Sequence, residues 1–600
     1  MRVALHYIRP YTRWILLTFL FVFLQAMTDL YLPNLMGKIV DHGIVYADTV
    51  YILKTGLWML LVSFGGMFFA ILVSFLAARI GMGFSRDVRQ AVFRKVSAFS
   101  VQQYDTFGTA SLITRTTNDV MQVQLFVIMG LRMLVMAPLL GIGGIIMAVN
   151  KNPGLSFIFI FILPILALAV GLIGKKAMPL FRSLQKKLDH MTLILREQFT
   201  GMKVIRMFNR TTDEIQRYDR SNQDFMQDAL NVNRLMALMM PVMMFLMNVT
   251  ILLIVWFGAG KIDAGNMQVG DLMAFIQYAM QIMMSLLMMS LLFVIIPRAQ
   301  ASAQRIEEVL EQTVAVLAQD KYTPIFAKKE ATDHFLTIEN QGGKDVTKVL
   351  QRGEIRFEHV TFSYPGAEHP ALNDLTFTIQ PGKMNAIIGG TGSGKTALLQ
   401  VLLRFYNLDA GKIIIDGTDI ATIAQDDLRR QMAYVPQKTV LFSGTIADNL
   451  RYGNAEATDA ELYRAAKISQ SLSFIEATEN GFATEVSQGG KNFSGGQKQR
   501  LAIARALVRK TNIYLFDDSF SALDFKTDAT LRHALQEELH EATIVMVAQR
   551  IHTIQGADQI IVLDEGKIVG IGTHDELMQS CTVYQETAKS QAAGEGFGNA

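Results

Sequence analysis

The sequence predicts an α-helical membrane domain of six long transmembrane helices followed by a soluble α/β phosphate-loop domain. Three observations carry this prediction. Six apolar stretches lie near 14–36, 55–78, 126–149, 155–174, 235–258 and 271–297, and crossing a hydrocarbon core of roughly 30 Å takes about 20 helical residues. From Gly353 the pattern changes to strand-like alternation through Ile355, Phe357, Val360 and Phe362. The glycine-rich run Gly389 to Thr396 then falls between an apolar strand, Met384 to Ile388, and a helical run, Ala397 to Phe405.

Composition agrees with a membrane-embedded chain. Half of the 600 residues are hydrophobic, and the mean hydropathy is +0.26. A net charge of +3 is too small to argue for nucleic acid. The lone cysteine, Cys581, excludes an internal disulfide framework. The basic segment before the first span, with no small-residue cleavage site after it, predicts a first transmembrane helix rather than a removable leader.

Basic residues set the orientation. They precede span one (Arg2, Arg9, Arg13), lie between spans two and three (Arg86, Arg89, Arg94), and are densest between spans four and five, where Lys175, Lys176, Arg182, Lys186 and Lys187 begin the series. The alternate loops hold few, such as Lys38 and Lys151. Both termini are therefore expected in the cytoplasm. The two inner connections are long and read as helical, so the spans should continue into the cytoplasm. Their tips, Phe99 to Phe107 and Gly201 to Phe208, carry aromatics suited to docking on another domain.

The boundaries read as 1–311 for the membrane domain, 312–352 for a linker or ornamented edge, 353–590 for the soluble domain and 591–600 for a polar tail.

Within Gly389-Gly390-Thr391-Gly392-Ser393-Gly394-Lys395-Thr396 the glycines let backbone N–H groups close around phosphate oxygens at a helix start. Lys395 would reach the β and γ phosphates of ATP, and the Thr396 hydroxyl would ligate Mg²⁺. Asp517, at the end of the strand Ile513 to Phe516, is the expected Mg²⁺-organising carboxylate. Upstream, Ser494-Gly495-Gly496-Gln497 opens another helix and offers N–H groups to a second anion. The chain already has a loop for its own nucleotide, so this second site points to another one.

With these motifs the chain resembles the ATP-binding cassette (ABC) exporters over nearly its whole length. The resemblance implies two such domains facing head to tail, each ATP held between the phosphate loop of one and the signature of the other. It implies that Tyr364 in Phe362-Ser363-Tyr364-Pro365 stacks on adenine, that Gln437 in Val435-Pro436-Gln437 links Mg²⁺ and the attacking water to the membrane domain, and that Glu485 contacts an inner loop. It implies that Asp524 in Ser521-Ala522-Leu523-Asp524 speaks across the dimer, and that the protein lies in a bacterial cytoplasmic membrane.

Two positions depart from the family. Asp518 stands where a glutamate polarises water, and Gln549 stands where a histidine is usual. A base must come within about 2.6–3.2 Å of the proton it takes, and one methylene removes roughly 1.5 Å of reach. A glutamine can hydrogen-bond a phosphate but carries no imidazolium charge. The pair of changes resembles the degenerate-site subunit of heterodimeric multidrug exporters, whose signature completes a competent site on the partner. A homodimer with two slow sites is the alternative.

For cargo, spans five and six are rich in methionine, whose flexible thioethers can repack around dissimilar ligands. Met240, Met244, Met284 and Met288, with the intramembrane carboxylate Asp29, are the candidate cavity residues for amphipathic or hydrophobic compounds. Lipid or peptide cargo, or an ATP-gated channel, are the other readings.

Overall fold

The computed structural model describes residues 6–312 and 352–596, so most of the expected linker lies outside the described residues. It has the predicted architecture, six apolar helices long enough to cross a membrane and then an α/β domain. The membrane helices are α1 (Thr12–Lys38), α2 (Thr49–Ser97), α4 (Val120–Lys151), α5 (Pro153–Met207), α7 (Met239–Asp263) and α8 (Val269–Leu310), with α3 (Val101–Phe107) and α6 (Thr211–Ala237) in the two long connections. At 1.5 Å rise per residue the 49 residues of α2 and the 55 of α5 run to about 70 and 80 Å. More than half of each therefore extends past a hydrocarbon core of roughly 30 Å, in line with the helical reading of the two long connections.

Apolar side chains on these helices divide by face. Leu53, Leu57 and Trp256 are exposed, as lipid contact permits, while Val22, Ala26 and Leu30 of α1 pack against Phe275, Tyr278 and Ile282 of α8. Phe159 of α5 stacks on Phe275 at 5.4 Å. Proline shapes this seam. Pro33 lies inside α1 and has no N–H for the Asp29 carbonyl four residues back. Gln281 of α8 replaces that donor, its Nε2 lying 2.8 Å from the Asp29 oxygen. Toward one end Lys151 pairs with Asp271 at 2.7 Å. Elsewhere the fully buried Asp119 accepts from Ser302 and from the Arg305 guanidinium.

The described residues fall into two compact units. Residues 98–108 group with the α/β unit rather than with the helices they join. Ser100 caps α3 through a capping box with Gln103, and Asp105 Oδ2 accepts from the Tyr406 hydroxyl at 2.7 Å.

The α/β unit has two main sheets. One is antiparallel, in the order β2 (Leu372–Ile379), β1 (Ile355–Phe362), β4 (Ala410–Ile415), β5 (Thr418–Asp419). The other runs β12 (Lys567–Gly572), β11 (Gln559–Asp564), β3 (Met384–Gly389), β10 (Thr543–Val547), β9 (Ile513–Asp517), β6 (Met432–Val435). Strands β6, β9, β10, β3 and β11 are parallel. Every residue of β9 and β10 is buried, which is why both read as unbroken apolar runs instead of alternating. A short pair, β7 (Gly444–Thr445) with β8 (Glu485–Val486), stands apart. At the C-terminal end the helix Thr582–Gly596 runs past 591, where the sequence placed the start of a polar tail.

Candidate nucleotide site

Parallel register gathers the candidate residues at one edge. Val547 pairs with Asp517 and with Ile387, and Val435 pairs with Phe516. The carboxyl ends of β6, β9, β10 and β3 thus deliver Gln437, Asp517 with Asp518, Gln549 and the phosphate loop side by side, at the place where open α/β sheets hold ligands.

The loop closes on helix α9 (Lys395–Leu402), capped by Gly394 at φ +100°. Only glycine fits there, because a Cβ would also lie 2.4 Å from the Ala371 carbonyl oxygen. At Gly390 and Gly392 a Cβ would meet nothing within 4 Å, so the loop opens onto free space. Lys395 Nζ folds back onto the carbonyls of Gly389 and Gly390 at 2.9 and 2.6 Å. Burial lowers the Lys395 ammonium below its usual pKa, and the charges of Asp518 and Asp517 oppose that shift. Ser393 is buried under the loop, and Thr391 is exposed on it.

Asp517 is nearly inaccessible. Its Oδ1 accepts from Thr396 Oγ1 at 3.1 Å, and its Oδ2 from the Tyr434 hydroxyl at 3.2 Å. Burial raises its carboxyl above the ordinary range, with the Thr396 and Tyr434 hydrogen bonds opposing. Asp518 has a single oxygen between two amides: Oδ2 accepts from Gln437 Nε2 at 3.1 Å and from Gln549 Nε2 at 2.9 Å. Burial raises this carboxyl too, against the Gln437 hydrogen bond. The hydroxyl of Thr396, the Asp517 carboxylate and the amide oxygen of Gln437 form an oxygen donor set that fits a hard divalent cation such as Mg²⁺.

Tyr364 is half-buried. Its hydroxyl donates to Gln400 Oε1 at 2.7 Å, and its ring stands edge-on to Tyr406 at 5.5 Å. Ser494 caps helix α10 (Gly495–Val508), where a capping box takes up the Gln497 and Ser494 N–H groups. Fewer free donors remain than the sequence alone implies, and they belong to Gly495 and Gly496. Ala522 N–H donates to Gln499 of α10, tying the segment before Asp524 to the signature helix. Asp524 caps helix α11 (Phe525–Glu538) through Thr527, and these hydrogen bonds lower its carboxyl. Glu485 is exposed on β8.

The candidate cavity residues lie on three membrane helices. Asp29 of α1 is half-buried beside Gly66 of α2. Met240 and Met244 of α7 and Met284 of α8 are exposed, and Met288 is partly covered. Sequence reasoning missed Tyr434 and Gln400. The first stands three residues before Gln437, but its relation to Asp517 depends on strand order.

A family model described as ABC transporter transmembrane region matches residues 15–286, and one described as ABC transporter matches 372–521. An uncharacterized ABC transporter ATP-binding protein of Mycobacterium tuberculosis is 39% identical over 595 residues, covering 99% of this chain and 98% of that one. The chain belongs to the ABC transporter family. A further uncharacterized ABC transporter ATP-binding protein, from Bacillus subtilis, is 38% identical with 99% of each chain covered. An ATP-dependent lipid A-core flippase of Hahella chejuensis is 30% identical, covering 86% of this ABC transporter and 84% of the flippase. A bacterial Atm1-family ABC exporter solved with ATP bound shares the fold, with TM-score 0.78 and 24% identity over 97% of this chain and 98% of that one. The protein is therefore an ABC transporter with relatives in bacteria, and its cassette domain binds ATP, typically with Mg²⁺. ABC exporters act as dimers in contact with lipid.

Proposed function

We propose that this chain is one subunit of a heterodimeric exporter of amphipathic or hydrophobic compounds, with both termini cytoplasmic. Its membrane domain ends near 311 and its cassette domain runs from about 353 to 590. Its own ATP site is a slow nucleotide clamp. The observation that carries this reading is the Asp518 carboxylate, one methylene short and bracketed by Gln437 and Gln549.

In this reading Gly389 to Thr396 cradle the phosphates of ATP, and the ammonium of Lys395 exchanges the carbonyls of Gly389 and Gly390 for phosphate oxygens. Tyr364 stacks on adenine. Thr396, Asp517 and Gln437 would hold Mg²⁺, which neutralises phosphate charge when bound. Asp518 is placed to orient water only weakly. A shorter side chain draws its oxygen back toward β9, and the two amides already fill the acceptor directions of that oxygen. Gln549 donates an N–H but cannot stabilise developing charge as an imidazolium does. Ser494 to Gln497, with Asp524 nearby, complete the site on the partner. The exposed Met207 and Phe208 at the second inner tip, 81% and 71% accessible, offer an apolar surface to the partner.

Mg-ATPase of the purified chain, alone and with the product of a co-encoded second subunit, tests the proposal. Activity that appears only with the partner is expected, and robust turnover by the chain alone overturns it. Lipid export is the second reading, favoured by the flippase relative. ATP-dependent uptake of dyes and of labelled lipid into inverted vesicles separates the two.

A further inference from the structure

The structure assigns Tyr434 as a positioning residue for the Mg²⁺ site, holding one oxygen of Asp517 and so fixing the orientation of the carboxylate that would bind the cation. The assignment rests on reading Asp517 as the Mg²⁺-organising carboxylate. Asp517 ends β9, and its two oxygens have different partners: Thr396 Oγ1 at Oδ1, 3.1 Å, and the Tyr434 hydroxyl at Oδ2, 3.2 Å. These partners differ in what metal binding asks of them. Thr396 would itself be a metal ligand in the proposed site, its oxygen lone pair serving the cation while its proton stays available to Asp517 Oδ1. Tyr434 has no such second role, and its hydrogen bond can persist throughout.

The ring is anchored for this task. Tyr434 lies on β6 opposite Leu515 of β9, two residues before Asp517, so its long side chain reaches along the neighbouring strand to the strand's end. Phe405 packs edge-on to it at 6.2 Å. Arg429 covers Phe405 at 5.1 Å and is itself held by the carbonyls of Leu403 and Arg404. The hydroxyl donates to Asp517 Oδ2, and the surrounding packing leaves the ring little freedom to turn away. A donor fixed by packing and aimed at a ligand's second oxygen is the arrangement by which outer groups orient metal ligands. The Thr396 contact alone cannot do this, because it holds only Oδ1 and leaves Oδ2 to Tyr434.

The test uses full-length protein in nanodiscs and a fluorescent ATP analogue titrated at varied Mg²⁺, with Mn²⁺ binding followed by electron paramagnetic resonance. Tyr434→Phe keeps the ring and removes the hydroxyl. It should raise the Mg²⁺ midpoint by about 10-fold and weaken Mn²⁺ binding similarly, leaving nucleotide affinity in EDTA unchanged. An unchanged midpoint overturns the assignment. A lowered midpoint also overturns it, since that identifies the hydroxyl as a competitor for Asp517. Tyr434→Leu, which loses the ring as well, should share the Mg²⁺ defect, and a defect confined to Leu would identify packing as the cause. If nucleotide affinity of the unaltered protein does not depend on Mg²⁺ at all, the reading of Asp517 falls first and the assignment with it.

Discussion

The backbone of Asp518 is pinned at both of its polar groups: its N–H donates to the Val547 carbonyl at 3.0 Å, and its carbonyl accepts from Ser521 Oγ at 3.0 Å. With φ at +47° it has little freedom to shift, so side-chain length decides where the carboxylate ends. Asp518→Glu should therefore deliver the missing reach, but into a site where Gln549 still lacks a transferable charge. We expect ATPase of the isolated chain to rise less than about 10-fold for Asp518→Glu, and by about 100-fold once Gln549→His is added, within the usual range for a positioned base. Equal activity of the single and double variants would count against the two-part account. The same carboxyl gives a pH signature. Its pKa is raised by burial in the folded state, so the protein is spared any penalty below the ordinary carboxylate range of about 4 and loses stability as pH rises through the folded value. Asp518→Asn removes the ionisation. It should raise the nucleotide-free melting temperature at pH 7.5 by about 2 °C, a difference that closes toward pH 4, as a pH series of thermal scans in EDTA would register.

Among the elements, the sequence was most readable where one physical demand acted alone. Crossing a bilayer requires length and apolarity, and those requirements show in the six spans whatever their neighbours are. The phosphate loop was readable because strand, glycine-rich turn and helix are contiguous in the chain. Tyr434 and Gln281 were not, because each serves a group on another element: Tyr434 meets Asp517 only through the pairing of β6 with β9, and Gln281 meets α1 only through helix packing. At Ser494 the capping box with Gln497 is a local arrangement, taking up the N–H groups of those two residues and leaving those of Gly495 and Gly496. The α1–α8 seam yields a prediction of its own. Gln281→Met leaves the Asp29 carbonyl without a donor in an apolar surrounding and should cost about 1 kcal/mol, near the scale of interhelical hydrogen bonds in membranes. Pro33→Ala restores the N–H of residue 33 to that carbonyl. The Gln281 substitution should then cost much less in the Pro33→Ala background than alone, measured as a double-mutant cycle on thermal unfolding in detergent. Additive costs would mean that Gln281 supports the seam by packing.

At the scale of the assembled transporter, the proposed asymmetry separates two parts of one chain that a symmetric dimer would make equivalent. The phosphate loop serves the chain's own slow site, whereas Ser494 to Gln497 serve the partner's fast one. In a heterodimer these functions fail independently. Lys395→Ala should weaken ATP binding at the slow site and leave most steady-state hydrolysis in place, since the partner's loop and base are untouched. Gly495→Asp places a carboxylate where the signature meets the partner's phosphates; a Cβ there meets no atom within 4 Å of this chain, so the substitution need not disturb the subunit's own packing. It should lower steady-state ATPase of the complex by about 100-fold, comparable with loss of one preorganised donor at a reacting centre. The reciprocal pair of variants in the partner should show the opposite ranking, its phosphate-loop lysine mattering most. Measured together in one lipid nanodisc preparation, the four rates distinguish the architectures: a heterodimer gives one severe and one mild variant per subunit, in crossed positions. A homodimer of this chain gives two equally severe losses from Lys395→Ala and Gly495→Asp, because every site then depends on both.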